Sequence, residues 1–159
     1  MLPWLSGPEA LSFANPHSQH RPGRAAAAAV EVAREQVAAL LPSGRRVIFT
    51  GSATEALNLA IQGRKPKQIA VSTIEHAAVL DTAQASSAAV QLLEAGGDGV
   101  VRAASTIPAG TDLVAVMQVN NEIGTIQPAA DLARAAHAAG ALFLCDAVQG
   151  AGKLAPPEG

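Results

Sequence analysis

Asn121 and Asp146 are the first residues of this chain whose setting suggests chemistry. Each follows an apolar, β-forming run, Val114 to Val119 and Ala141 to Cys145, and the second run is apolar throughout, as a strand covered on both faces would be. Between them, Pro128 to Gly140 carries the marks of a helix, with a proline suited to the first turn and a glycine at the end. Strand, helix and strand in that order make one βαβ unit, which places Asn121 and Asp146 on the same carboxyl rim, where open parallel sheets bind ligands. Taken locally, Asn121 serves equally well as a turn residue and Asp146 as a cap.

Two earlier stretches add to this rim. The β-rich run Arg46 to Thr50 is followed by Gly51-Ser52-Ala53-Thr54-Glu55 and a helical pattern closed by Gly63. Strand, glycine turn and helix form a phosphate cradle, because the first helical amides lack backbone partners and the helix dipole favours an anion there. The same residues, Ser52 to Glu55, also spell a capping box that needs no ligand. A Walker lysine and a GxGxxG run are both missing, so a nucleotide triphosphate or dinucleotide is not specifically indicated, and a generic nucleotide-binding α/β domain is the blander alternative. Gln68 to Ser72 is a further strand. Ser72-Thr73-Ile74-Glu75 is a second capping box, opening a helix that carries His76 in its first turns, where the dipole favours a neutral imidazole. Such a ring is suited to stacking or proton transfer, or is simply structural. His17 and His20 stand three apart between prolines, with no cysteine or carboxylate to complete a metal set, and read as solvated or interface histidines.

The elements that hold these residues follow from the rest of the chain. Its 159 residues suit one domain, and 49% hydrophobic against 15% charged residues is the balance of a soluble globular protein with a core. Arg24 to Leu41 reads as a long helix with Val30, Ala33, Val37 and Leu40 or Leu41 on one core-facing stripe. Ala88 to Leu93 reads as apolar, and Gly99 to Gly110 as a surface excursion. The opening 1–23 is turn-rich and irregular, and 24–159 forms the main domain. A net charge of −2 with scattered Lys and Arg argues for a small-molecule partner and against nucleic acid. The longest apolar run, Ala25 to Val30, is too short for a membrane span, the first residues lack the pattern of a secretory signal, and a single cysteine favours a cytoplasmic address.

Four strand ends thus carry Ser52 and Thr54, His76, Asn121 and Asp146, and a parallel sheet gathers all four on one rim. An anion cradle, an aromatic face, a neutral amide and a carboxylate together suit pyridoxal phosphate: phosphate on the helix terminus, imidazole over the ring, carboxylate on the pyridine nitrogen. Gln149, three residues past Asp146, is within reach of the ring's phenolic oxygen.

The stretches FANPHSQHRPGRAA (13–26), VIFTGSATEALNLAI (47–61), STIEHAAVL (72–80), VMQVNNEIGTIQP (116–128) and DAVQGAGK (146–153) closely resemble the cysteine desulfurases of the class V aminotransferase superfamily. That resemblance implies an α/β fold, part of the large domain of a fold-type I pyridoxal phosphate enzyme, with a mainly parallel sheet flanked by helices. It also implies cofactor contacts at Ala53, Thr54, His76, Asn121, Asp146 and Gln149, with His76 in addition catalytic through proton transfer. The implied reaction turns L-cysteine into L-alanine and passes the sulfur to an enzyme cysteine as a persulfide, for delivery to an acceptor or scaffold protein such as in iron–sulfur cluster assembly, by a homodimer. The family's YLDNAATTP-like opening, the SxHK segment with its Schiff-base lysine and the loop with the nucleophilic cysteine have no counterpart here, so the resemblance implies a truncated piece, inactive alone. Cys145, on a strand before Asp146, and Lys65, Lys67 and Lys153 do not match those positions. Another class V aminotransferase or lyase, and a degenerate domain that binds the cofactor without catalysis, are the alternatives.

Overall fold

The computed structural model describes residues 14–42, 44–102 and 107–157, and the expected irregular opening before Ala14 lies outside them. The chain divides into two compact units that meet in sequence between Phe49 and Thr50.

The first unit is built on helix α1, Arg21–Ala38. It starts three residues earlier than the expected Arg24, because Pro22 is tolerated in the first turn and His20 is the N-cap, its Nδ1 accepting the Gly23 N–H at 3.0 Å. The expected core-facing stripe is not covered among the described residues: Val37 is 39% and Leu40 65% exposed. The expected strand over Arg46 to Thr50 does not form either, since no neighbour among the described residues pairs with it and Ile48 is 71% exposed. β-forming side chains without a hydrogen-bonding neighbour give an extended segment, not a strand. That segment is held locally, by the Arg34 guanidinium, which donates to the Val47 carbonyl at 2.6 Å and lies over the Phe49 ring.

The second unit is a three-layer α/β arrangement. Helix α2 (Ala53–Arg64) leads into β1 (Gln68–Ser72), α3 (Ala77–Ala85), β2 (Ala89–Leu93), β3 (Leu113–Ala115), α4 (Ala129–Ala138) and β4 (Leu142–Leu144). All neighbouring strands are parallel, in the order β2-β1-β3-β4, with Ile69 opposite both Val90 and Leu113, and Val114 opposite Phe143. Alternation along β1 splits the core in two. Ile69 and Val71 pack with Leu57, Ile61, Val79 and Ala83 of α2 and α3 on one face, while Ala70 packs with Val114, Leu132 and Ala136 on the other, under α4. Both faces of β1 and β3 are therefore covered, as their unbroken apolar runs require.

Boundaries differ from expectation where backbone pairing, not composition, sets them. The Val114 to Val119 run forms a ladder only to Ala115, but its extension stays bonded: Val116 N–H donates to Leu144 O and Gln118 N–H to Asp146 O. Helix α2 runs past Gly63 to Arg64, and Lys65 takes the left-handed cap at φ 50°. Gly140 closes α4 as expected, at φ 80°, a conformation that favours glycine. The excursion expected over Gly99 to Gly110 is anchored rather than loose at its near end: Val101 is 1% exposed, bridges Ala95 and donates its N–H to Gln127 Oε1.

Candidate functional site

The chain leaves β1 outward to β2 and leaves β3 the opposite way to β4, so its direction reverses between β1 and β3. The crevice beyond the carboxyl ends of two such strands is where open parallel sheets take ligands. There a cavity of about 230 Å³ is lined by Ala53, Thr54, His76, Asn121, Asp146 and Gln149, with Leu57, Met117, Val119 and Val148 as apolar walls. All six residues singled out in the sequence border this one cavity. The four apolar wall residues were not foreseen, though an alternating run that ends in polar residues, as Met117 and Val119 do before Asn120, is a usable signal for them.

Helix α2 brings its N-terminus to one side. Ser52 is the N-cap and its Oγ accepts the Glu55 N–H at 3.1 Å, while Glu55 Oε2 accepts the Gly51 N–H at 2.6 Å. The capping box therefore forms as spelled, yet it leaves the amides of Ala53 and Thr54 without a partner among the described residues. Capping and anion binding coexist at this terminus, because they use different N–H groups.

His76 is not inside the helix, as the capping-box reading expected, but at its N-cap: Nδ1 accepts the Ala78 N–H at 3.0 Å. With Nδ1 engaged at the helix terminus, the ring is fixed where it borders the cavity. The capping residue foreseen for α3, Ser72, instead ends β1, fully buried, and donates its hydroxyl to Glu75 Oε1 at 2.6 Å. That same oxygen accepts the Met117 N–H at 2.6 Å, while Glu75 Oε2 is buried with no partner. Burial pushes the Glu75 carboxyl up to about 7 against the lowering effect of its two hydrogen bonds, and the charge at Asp146 adds to the rise. In sequence Glu75 spells part of a helix cap; its setting as the partner of a buried strand end appears only in the fold.

Asn120 builds the loop so that Asn121 can be displayed. Asn120 Oδ1 accepts the N–H groups of Glu122 and Ile123, and its Nδ2 donates to Ile74 O, which ties the loops after β1 and β3 together. Gly124 completes the turn at φ 71° and its N–H returns to Asn120 O. Asp146 follows β4 directly. Its Oδ1 accepts the Val148 N–H at 2.9 Å, and its second oxygen has no partner among the described residues, so it is open to a protonated nitrogen. Cys145 beside it is half-buried, and burial followed by the charges of Glu75 and Asp146 pushes its thiol up to about 12, which keeps it protonated and unreactive. None of the three lysines lines the cavity. Lys65 and Lys67 lie at the opposite, amino edge of the sheet with Asp112 and Gly140, and Lys153 is exposed.

Comparison with known proteins fits this arrangement. The family described as Aminotransferase class-V matches residues 10–156. The mitosomal cysteine desulfurase of Encephalitozoon cuniculi is 40% identical over 97% of this chain, and the cysteine desulfurase IscS of Shewanella denitrificans is 41% identical over 89%. The chain spans 38% and 39% of the lengths of these two relatives. Among solved structures, SspA in complex with cysteine superposes with a TM-score of 0.86 at 32% identity, covering 98% of this chain and 49% of that one. A NifS-like protein from Rickettsia africae superposes with a TM-score of 0.77 at 27% identity, over 89% of this chain and 42% of the other. A match that runs almost from end to end, on a parallel sheet whose polar residues meet at its switch point, makes this chain a member of the class-V aminotransferase family.

Proposed function

We propose that the cavity binds pyridoxal phosphate, and that residues 24–159 are part of the large domain of a cysteine desulfurase acting on L-cysteine. The observation that carries this reading is the convergence of Ala53, Thr54, His76, Asn121, Asp146 and Gln149 on one cavity. The residues fit the group in charge and in geometry. The unpartnered amides of Ala53 and Thr54 suit a phosphate at the positive end of α2. The His76 ring offers a flat face, the amides of Asn121 and Gln149 would meet the ring substituents, and the open oxygen of Asp146 would hold a proton on the ring nitrogen. Bound there, the cofactor supplies an electron sink for carbanion chemistry at the α-carbon of an amino acid. In the proposed reaction L-cysteine yields L-alanine, and the sulfur passes to a cysteine as a persulfide. Delivery to an acceptor or scaffold protein, as in iron–sulfur cluster assembly, a homodimeric enzyme and a cytoplasmic setting belong to the same proposal.

No lysine borders the cavity, and Cys145 is held protonated, so the 159-residue chain is expected to bind without turning over. Equilibrium dialysis against pyridoxal phosphate should show saturable binding that D146N weakens about tenfold or more, the loss of one charge-assisted contact being worth about 1.5–3 kcal/mol. Binding that D146N leaves untouched would overturn the assignment of the cavity, and sulfide and alanine produced from L-cysteine by this chain would overturn its expected inactivity.

A further inference from the structure

The buried carboxyl of Glu75 is not among the six contacts proposed for the cofactor, and it sits between the end of β1 and the extension of β3. We propose that Glu75 is a positioning residue for this cavity: one of its oxygens holds the end of β1 to the extension of β3, and the other, buried and unbonded, makes the site responsive to the charge carried at Asp146. The inference rests on the cofactor reading only for what neutralises Asp146.

The geometry is a strut across the switch point. Glu75 Oε1 accepts from Ser72 Oγ, at the last residue of β1, and from the backbone N–H of Met117, two residues past β3. Met117 is a wall of the cavity and His76 is the next residue along the chain, so the strut sets the positions of two lining side chains from outside the lining set of that cavity. A neutral side chain with one acceptor oxygen would do that much. The second oxygen is what a purely structural strut would not need: it is buried, Glu75 as a whole is 7% exposed, and Oε2 has no donor. Buried polar atoms are almost always satisfied, and an orphan oxygen on an ionisable group is a charge with nowhere to go.

The groups that bear on it are few. From the segment after β4 come Asp146, whose charge opposes that of Glu75, and Cys145, a thiol on which Glu75 acts in turn. From β1 and the β3 extension come the Ser72 hydroxyl and the Met117 amide, and on its own segment the His76 ring is already engaged with Ala78. No cation forms a salt bridge with Glu75 among the described residues. With the charge of Asp146 opposing that of Glu75 and no salt bridge to Glu75 among the described residues, an ionised Asp146 raises the cost of ionising Glu75. A cation that meets Asp146 therefore eases the ionisation of Glu75, and by reciprocity an ionised Glu75 strengthens the hold of the site on that cation.

The test follows the Glu75 carboxyl itself, by carbon-detected NMR titration of the protein with labelled glutamate, the Glu75 resonance being assigned by its loss in E75Q. In D146N the midpoint of Glu75 should move to lower pH by roughly 0.5 relative to the unsubstituted protein. An unmoved midpoint overturns the proposal. Adding pyridoxal phosphate to the unsubstituted protein should move the midpoint in the same direction. If D146N moves it and pyridoxal phosphate does not, the Glu75–Asp146 coupling stands and the cofactor reading fails. E75Q keeps an acceptor for Ser72 and Met117, so it should retain the fold and lose about threefold in pyridoxal phosphate affinity, whereas E75A, which removes the strut, should lose tenfold or more. Equal losses in the two variants would overturn the strut, and an E75Q affinity equal to that of the unsubstituted protein would overturn the charge component.

Discussion

Ser52-Ala53-Thr54-Glu55 and Ser72-Thr73-Ile74-Glu75 place a hydroxyl and a carboxylate at the same spacing near the start of a helix, and they finish in opposite environments. In the first, every residue is exposed, the serine caps α2 and the glutamate reaches back to a neighbouring amide. In the second, the serine is fully buried at the end of a central strand, the glutamate follows it inside, and the cap of α3 passes to His76. The difference lies in what precedes each serine. Thr50 and Gly51 belong to an extended stretch with no ladder, so nothing draws Ser52 inward, whereas Ser72 is the last paired residue of β1, opposite Leu93. A Ser-x-x-Glu pattern thus specifies a local hydrogen bond, and the strand behind it decides whether that bond is a cap in water or a strut in the core.

The largest way to separate the two is pH. Glu75 ionises near 4.5 when unfolded and near 7 in the fold. Below about pH 4.5 both states hold the proton and the fold keeps its full stability with respect to this group. Between 4.5 and 7 the unfolded chain ionises first, so stability falls, and above 7 the loss is complete, on the order of 3 kcal/mol. Denaturant titrations across that window should show this fall in the unsubstituted protein and not in E75Q. A profile shared by both would place the titration elsewhere.

The second separation is truncation at fixed pH. E75A at pH 5 strands a buried hydroxyl and the Met117 N–H and should cost about 2 kcal/mol, the usual penalty for a buried group left unmade. E55A removes an exposed contact at a helix N-terminus and should cost roughly 0.5 kcal/mol. Urea unfolding midpoints measured side by side decide it: comparable losses would mean that burial is not what distinguishes the two pairs.

The same contrast explains what was legible in the sequence. The parallel sheet, the βαβ unit around Asn121 and Asp146 and the strand Gln68–Ser72 were readable because apolar runs ending in polar residues report strand ends directly, whereas Ala53 follows from the family resemblance alone and Thr54 from a run that does not pair among the described residues. The Arg46 to Thr50 strand was misread because composition says that a segment is willing to pair and nothing about whether a partner exists. The stripe on α1 was misread for the same reason, an amphipathic pattern being only half of an interface. Glu75 is hidden in sequence because a local motif carries no record of what lies beneath it, and its orphan oxygen is visible only once β1, β3 and β4 are assembled.

The most direct check on the exposed pair is the loss of its cap. Ser52→Ala removes the side-chain acceptor from the Glu55 N–H and should cost about 1 kcal/mol of stability, the common value for a lost N-cap. It should do so at every pH between 4.5 and 7 alike, because the bond it deletes involves no ionisable partner. It also bears on the cavity in a way that separates capping from ligand binding. The amides of Ala53 and Thr54 are free already, so deleting the cap adds a third unpartnered N–H without removing any that a phosphate would use. Inorganic phosphate should therefore recover part of the lost stability in Ser52→Ala, measured as a larger rise in unfolding midpoint than in the unsubstituted protein. An equal rise in both would show that the terminus of α2 holds its anion without regard to the cap, and no rise in either would remove the anion cradle from the site.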